Sequence, residues 1–230
     1  MQGCGGLRVT LTEHAWEGQP AYLIGGGPSL KSFDWSLLTN KPNVIVVNRA
    51  FVEVPTASVF FTEDARFLLR FPKEFSKEWA AFQGLKVWHC LNEAEIPEVK
   101  AAVPDLHVIL NKRQDKHWSR SFADGLSYSS NSMVGAINIA CLLGADPIFL
   151  LGVDCRSGEL RMDNYHDSYK SDPMWEVGSN AADQFKSDFE NWVHIHTKDR
   201  NIVNLINPDY ESRVECWPKV NWKDVLKSEC

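Results

Sequence analysis

Long apolar runs are missing from this chain of 230 residues. None approaches the roughly 20 residues that a helix needs to cross a bilayer. The opening Met1–Gly6 lacks a charged stretch followed by an apolar core, so a secretory leader is not expected. Six cysteines are present, at 4, 90, 141, 155, 216 and 230, and no two of them form a CxxC pair. Neither a zinc site nor a disulfide framework is expected, and free thiols in a reducing cytoplasm are the plain reading. An excess of basic charge is missing as well: 24 Lys and Arg stand against 30 Asp and Glu, for a net charge of −6. That excludes a broad basic face that coats nucleic acid but leaves room for a local basic pocket. The chain also has no GxSxG, no HExxH and no Walker lysine, so serine-hydrolase, zinc-protease and P-loop chemistries lack their required residues.

What is present is a soluble globular composition, 44% hydrophobic and 23% charged. One domain over 1–230 is the expectation at this length. Strand signals recur at Ala21–Ile24, Asn43–Val47, Ser58–Phe61, Lys86–His89, Leu106–Leu110, Pro147–Gly152 and Ile202–Leu205. Several are continuous apolar runs, as strands covered on both faces of a parallel sheet require. Helical spacing is legible at Ser32–Leu38, Asp64–Arg70, Glu74–Phe82 and Ser132–Leu143, the last stopped by Gly144. Alternating strands and helices predict a Rossmann-like, doubly wound α/β fold with helices on both faces of a mostly parallel sheet. Ligands of such folds bind at the carboxyl ends of the strands. The segment 156–180 is polar, aromatic-bearing and weakly periodic, which suits a lid or flexible loop.

The most telling feature is Ala21-Tyr22-Leu23-Ile24-Gly25-Gly26-Gly27-Pro28-Ser29. A buried strand stops at three glycines that permit positive φ, and Ser29 stands ready to cap a helix. Exposed N–H groups in such a turn suit a phosphate. The wording is not GxGxxG, so a dinucleotide site is disfavoured and Gly25, Gly26, Gly27, Pro28 and Ser29 read as a nucleotide or anion turn. A tight structural turn is the plainer alternative.

Further polar residues follow strands or open helices. Asn48 and Arg49 end the second strand, where an amide can bond a base or ribose and a guanidinium a phosphate. Glu63 and Asp64 follow the third and could hold Mg²⁺, although acidic residues also favour a helix's first turn. Asn131 and Ser132 close a Ser-Tyr-Ser-Ser-Asn-Ser run ahead of the apolar helix, as a polar wall around its N-terminus would. Asp154 ends the strand after Pro147, as a ligand contact or as a cap. Asn164-Tyr165-His166-Asp167-Ser168-Tyr169 places a histidine between two tyrosines, and a histidine titrates near neutrality and can act as general base.

Gly25–Leu30, Val47–Arg49, Asn131–Ser132 opening a helix, Leu143–Ala145 and Leu151–Asp154 together resemble two linked families. One is the bacterial CMP-sialic acid-dependent sialyltransferases with a Rossmann-like fold. The other is the uncharacterised group similar to 6-hydroxymethylpterin diphosphokinases, which includes phage members. The resemblance spans about residues 20 to 210. It implies a transferase with a nucleotide-sugar donor of CMP type and a hydroxyl acceptor, and it needs no cofactor. CMP would fall to the glycine turn, Asn48, Asn131 and Ser132. His166 would be the base, and Tyr165 and Tyr169 would hold the donor phosphate. The second family implies instead a Mg²⁺-dependent phosphotransferase with Glu63 and Asp64 at the metal; a nucleotide-binding protein without turnover is a third reading. The chain departs from the sialyltransferase pattern with Gly26 for an asparagine, Asn131 for a threonine, and Thr62-Glu63-Asp64 where a third-strand asparagine stands. Cytoplasmic location (that of the host, for a phage protein) and possible homo-oligomers complete the expectations.

Overall fold

The computed structural model describes residues 11–112, 117–129, 131–156, 181–207, 209–210 and 212–226. Eight strands form one sheet: β1 Ala21–Ile24, β2 Val44–Val47, β3 Val59–Thr62, β4 Leu85–Cys90, β5 His107–Leu110, β6 Ile148–Leu151, β7 Ile202–Ile206 and β8 Lys219–Asn221. Their order is β5-β4-β3-β2-β1-β6-β7-β8, and every pair is parallel. The chain winds outward from β1 to β5, then returns to β1's other side and winds outward again. The turning point lies between β1 and β6, where open parallel sheets gather their ligands.

Alternation along the strands divides the apolar residues between two cores. Leu23, Ile45, Phe61, Val87 and Leu150 face one side. Ile24, Val46, Phe60, Trp88 and Leu151 face the other. The first core is covered by α4 (Ser132–Leu142) and by Phe189 and Val193, which follow α5 (Ala181–Asp188). Nine of the eleven α4 residues are buried, so this helix has almost no polar face and sits centrally over β1, β2 and β3. The second core is covered by α1 (Ala65–Glu74), α2 (Ser76–Ala81) and α3 (Ile96–Ala102), with Phe51 wedged against Phe60, Phe71 and Trp79. Each such ring removes enough apolar surface to contribute about 1.5–3 kcal/mol.

The doubly wound sheet and seven of its strands follow the sequence expectation. Two local expectations need correction. Ser32–Leu38 is not one helix: short 3-10 turns at Pro28–Leu30 and Trp35–Leu38 flank Ser32, whose φ is 65°. Nor is Ser29 an N-cap, because it lies inside the first of those turns, behind Gly27. The edge strand β8 and helices α3 and α5 went unread. They are short and only partly covered, so little apolar periodicity marks them.

Candidate functional site

The glycine turn is built by the strand beside it. Gly25 N–H donates to Leu151 O at 2.8 Å and Gly27 N–H to Gly152 O at 2.9 Å. Ser29 N–H donates to Asp154 Oδ2 at 2.7 Å. The glycines are needed for this close approach and not for positive φ, which belongs instead to Gly152 (68°). A Cβ on Gly27 would stand 2.3 Å from Asp154 Oδ2, and one on Gly25 2.7 Å from Gly152 O. The N–H groups of Gly25, Gly27 and Ser29 are thus spent on β6 and its loop, and Pro28 has none. Gly26 is half-buried, and its N–H is bonded to neither β6 nor the loop after it among the described residues. Ser29 Oγ is buried and has no partner among the described residues.

Asp154 holds the glycine turn in place. Its carboxylate, 1% exposed, anchors a loop 125 residues earlier in the chain. The loop it belongs to is anchored in turn. Ser212 Oγ donates to Val153 O, Asn204 Nδ2 donates to the same oxygen, and Arg213 N–H donates to Asp154 O.

The carboxyl end of β2 holds Asn48 at φ 54°, a left-handed conformation that asparagine tolerates better than most residues. Its Oδ1 accepts from Thr62 Oγ1 at 2.9 Å. Arg49 is committed elsewhere: its guanidinium lies 3.2 Å from Glu53 Oε1 and over the Phe75 ring at 5.3 Å. The neighbouring acids part company. Asp64 caps α1 through Arg66 N–H and pairs with the Arg66 guanidinium. Glu63 turns beneath α4, with Oε1 3.2 Å from the fully buried His89 Nδ1. Burial pushes the Glu63 carboxyl above its ordinary range, against an opposing pull from His89. His89 Nε2 has no partner among the described residues, and Tyr128 lies edge-on nearby, with ring centroids 6.5 Å apart. Among the described residues no group of three or more potential ligands could hold a metal ion.

At the start of α4, Asn131 is the N-cap and its Oδ1 accepts from Met133 N–H at 2.9 Å. Ser132 is the first helical residue, and both are half-buried. Two of the preceding serines hold the backbone: Ser127 is buried against Ser119 and Asn138, and Ser129 bonds the Asn131 backbone. The structure so gathers the glycine turn, Asn48, Glu63 and Asp154 at the sheet's carboxyl edge, with Glu63 tying that edge to the first turns of α4. Tyr165, His166 and Tyr169 lie outside the described residues. The sequence reading gave Thr62 no role beyond its place before the two acids and gave His89 none beyond ending a strand, because a strand-ending threonine and a lone histidine carry no distinguishing spacing.

No family profile and no curated protein sequence matches the chain. Solved structures do. The sialyltransferase CstII bound to a trisaccharide acceptor and CMP aligns with a TM-score of 0.53 at 15% identity, over 92% of this chain and 89% of that one. The monofunctional α-2,3-sialyltransferase Cst-I of Campylobacter jejuni aligns with a TM-score of 0.54 at 15% identity, over 98% and 86%. CstII of the same organism, with cytidine-5′-monophosphate as a substrate analogue, gives 0.50 at 16% identity, over 88% and 87%. The chain shares the fold of these bacterial sialyltransferases across nearly its whole length.

Proposed function

We propose that this chain is a transferase using a nucleotide-activated sugar donor, of the sialyltransferase-like type, with CMP as the first candidate for the nucleotide. The observation that carries the reading is the match along nearly the whole chain to a sialyltransferase whose two structures hold CMP, combined with the polar residues gathered at the carboxyl edge of the same sheet. Gly26, Asn48, Asn131 and Ser132 bind the nucleotide; Gly25, Gly27, Pro28, Ser29 and Asp154 shape the turn that presents Gly26. The acceptor hydroxyl oxygen attacks the anomeric carbon as the bond from that carbon to the donor phosphate oxygen breaks. His166 takes the hydroxyl proton, and CMP leaves as its phosphate monoester. Tyr165 and Tyr169 donate hydrogen bonds to the phosphate as its charge develops, an effect that typically dominates such chemistry. No metal is required, since the phenols do this work.

The test is a thermal-shift panel of CMP, UMP, ADP and GDP with their sugar conjugates, followed by transfer assays with the donor that binds. CMP and CMP-sugars should stabilise the protein, with EDTA making no difference. Histidine 166 to alanine should abolish transfer while leaving CMP affinity within about twofold; unchanged turnover would remove His166 as the base. Loss of activity with EDTA, restored by Mg²⁺, would move the protein to the phosphotransferase reading, with Glu63 and Asp64 as the residues to examine.

A further inference from the structure

Thr62 is wholly buried at the end of β3. A buried hydroxyl must place its single hydrogen on an acceptor or lose the bond's worth of stability. One of its lone pairs already receives Asp64 N–H at 3.1 Å. Its hydrogen goes to Asn48 Oδ1, 2.9 Å away. That bond settles which way the Asn48 amide is turned, because the opposite orientation would set the amide N–H against the hydroxyl and leave the hydroxyl hydrogen without its acceptor. Asn48 Nδ2 is then the atom facing away from Thr62, and it has no bonding partner among the described residues.

The register says what lies beside it. Ile24 pairs with Val46 and Val47 with Phe61. Continued past the last paired residues, this register would bring Gly26 level with Asn48 and Thr62 at the carboxyl edge of the sheet, and the Thr62–Asn48 bond shows the second of these contacts. Gly26 is the one residue of the glycine turn whose N–H is not spent on β6. One row thus carries two hydrogen-bond donors, a backbone N–H and an amide NH₂, with no acidic side chain in it.

We propose that Thr62 is a specificity-determining, positioning residue: it locks Asn48 with its NH₂ outward, making the end of β2 a donor to a phosphate oxygen of the nucleotide. This rests on the nucleotide-donor reading above. Thr62 touches no ligand itself. It removes the alternative amide orientation, whose carbonyl oxygen would repel an anion.

The experiment compares wild type with Thr62→Val, Thr62→Ser and Asn48→Asp, titrating CMP, cytidine and inorganic pyrophosphate by calorimetry. Asn48→Asp keeps an oxygen for Thr62 and tolerates the left-handed backbone, but turns a carboxylate oxygen outward. It should weaken CMP at least tenfold, the scale of one charge-assisted hydrogen bond. Thr62→Val should weaken CMP several-fold and cytidine hardly at all, and Thr62→Ser should restore CMP. A merely structural role would weaken cytidine and CMP alike, and that result overturns the proposal. So does CMP affinity unchanged in both Thr62→Val and Asn48→Asp. If wild type binds pyrophosphate but not CMP, the CMP reading fails and the same variants decide the proposal on pyrophosphate. If it binds neither, both fall.

Discussion

Glu63 and His89 show how much one contact governs at the level of single residues. A carboxyl whose pKa is raised in the folded state holds its proton more tightly folded than unfolded. The stability it contributes is complete below its unfolded value and is lost as pH rises through the folded one. Glu63→Gln can keep a hydrogen bond to His89 but has no such titration. The melting temperature of the variant relative to wild type should therefore climb between about pH 4 and neutrality, the lower limit being the ordinary carboxylate range. A gap that stays constant over that range would refute the buried-acid account. Asp154→Ala makes a second residue-level prediction. It strips Ser29 N–H of its buried carboxyl acceptor and should cost about 1–3 kcal/mol in urea unfolding, together with nucleotide affinity. The thiols of buried Cys155 and of partly buried Cys141 and Cys216, each pushed up to about 12 by desolvation, should alkylate more slowly at pH 8 in the native protein than once it is unfolded.

At the scale of elements, α4 approaches the sheet closely because Gly135 has no side chain. A Cβ there would lie 2.6 Å from Phe61 Cζ and 3.0 Å from Glu63 Oε1. Gly135→Ala should destabilise by about 1–3 kcal/mol through overpacking, despite alanine's better helix propensity. A stabilised variant would show that α4 can shift freely. The apolar strands and α4 were legible in the sequence, since the unbroken buried runs of β1 to β4 and an eleven-residue apolar helix leave a pattern in the chain itself. The glycine turn was legible as a landmark but misread in cause. Nothing local reveals that Gly25 and Gly27 are glycines because β6 and Asp154 crowd them. Likewise Glu63 and Asp64 are equivalent in sequence, and only the positions of α1 and α4 send one to cap a helix and the other beneath one.

Over the whole molecule, the candidate site joins segments from Gly25 to Asp154 that lie far apart in the chain, so a ligand bound there should stabilise the folded state as a unit. At a hundredfold excess over its dissociation constant, CMP should add about 2.7 kcal/mol. In a protein of this size that raises the melting temperature by roughly 5–10 °C, and the rise should grow with the logarithm of CMP concentration. A shift that saturates early, or none, would count against a single nucleotide cleft. No helix among the described residues is long and apolar enough to cross a membrane. The sequence by itself determined the class of fold, its buried strands and the place of the glycine turn, because burial on both faces writes itself into consecutive residues. Only the tertiary structure decided what each polar residue does there. Asp154 holds a backbone, Arg49 pairs away with Glu53, and Thr62 turns Asn48 outward, because a hydrogen bond's direction depends on which distant strands lie side by side.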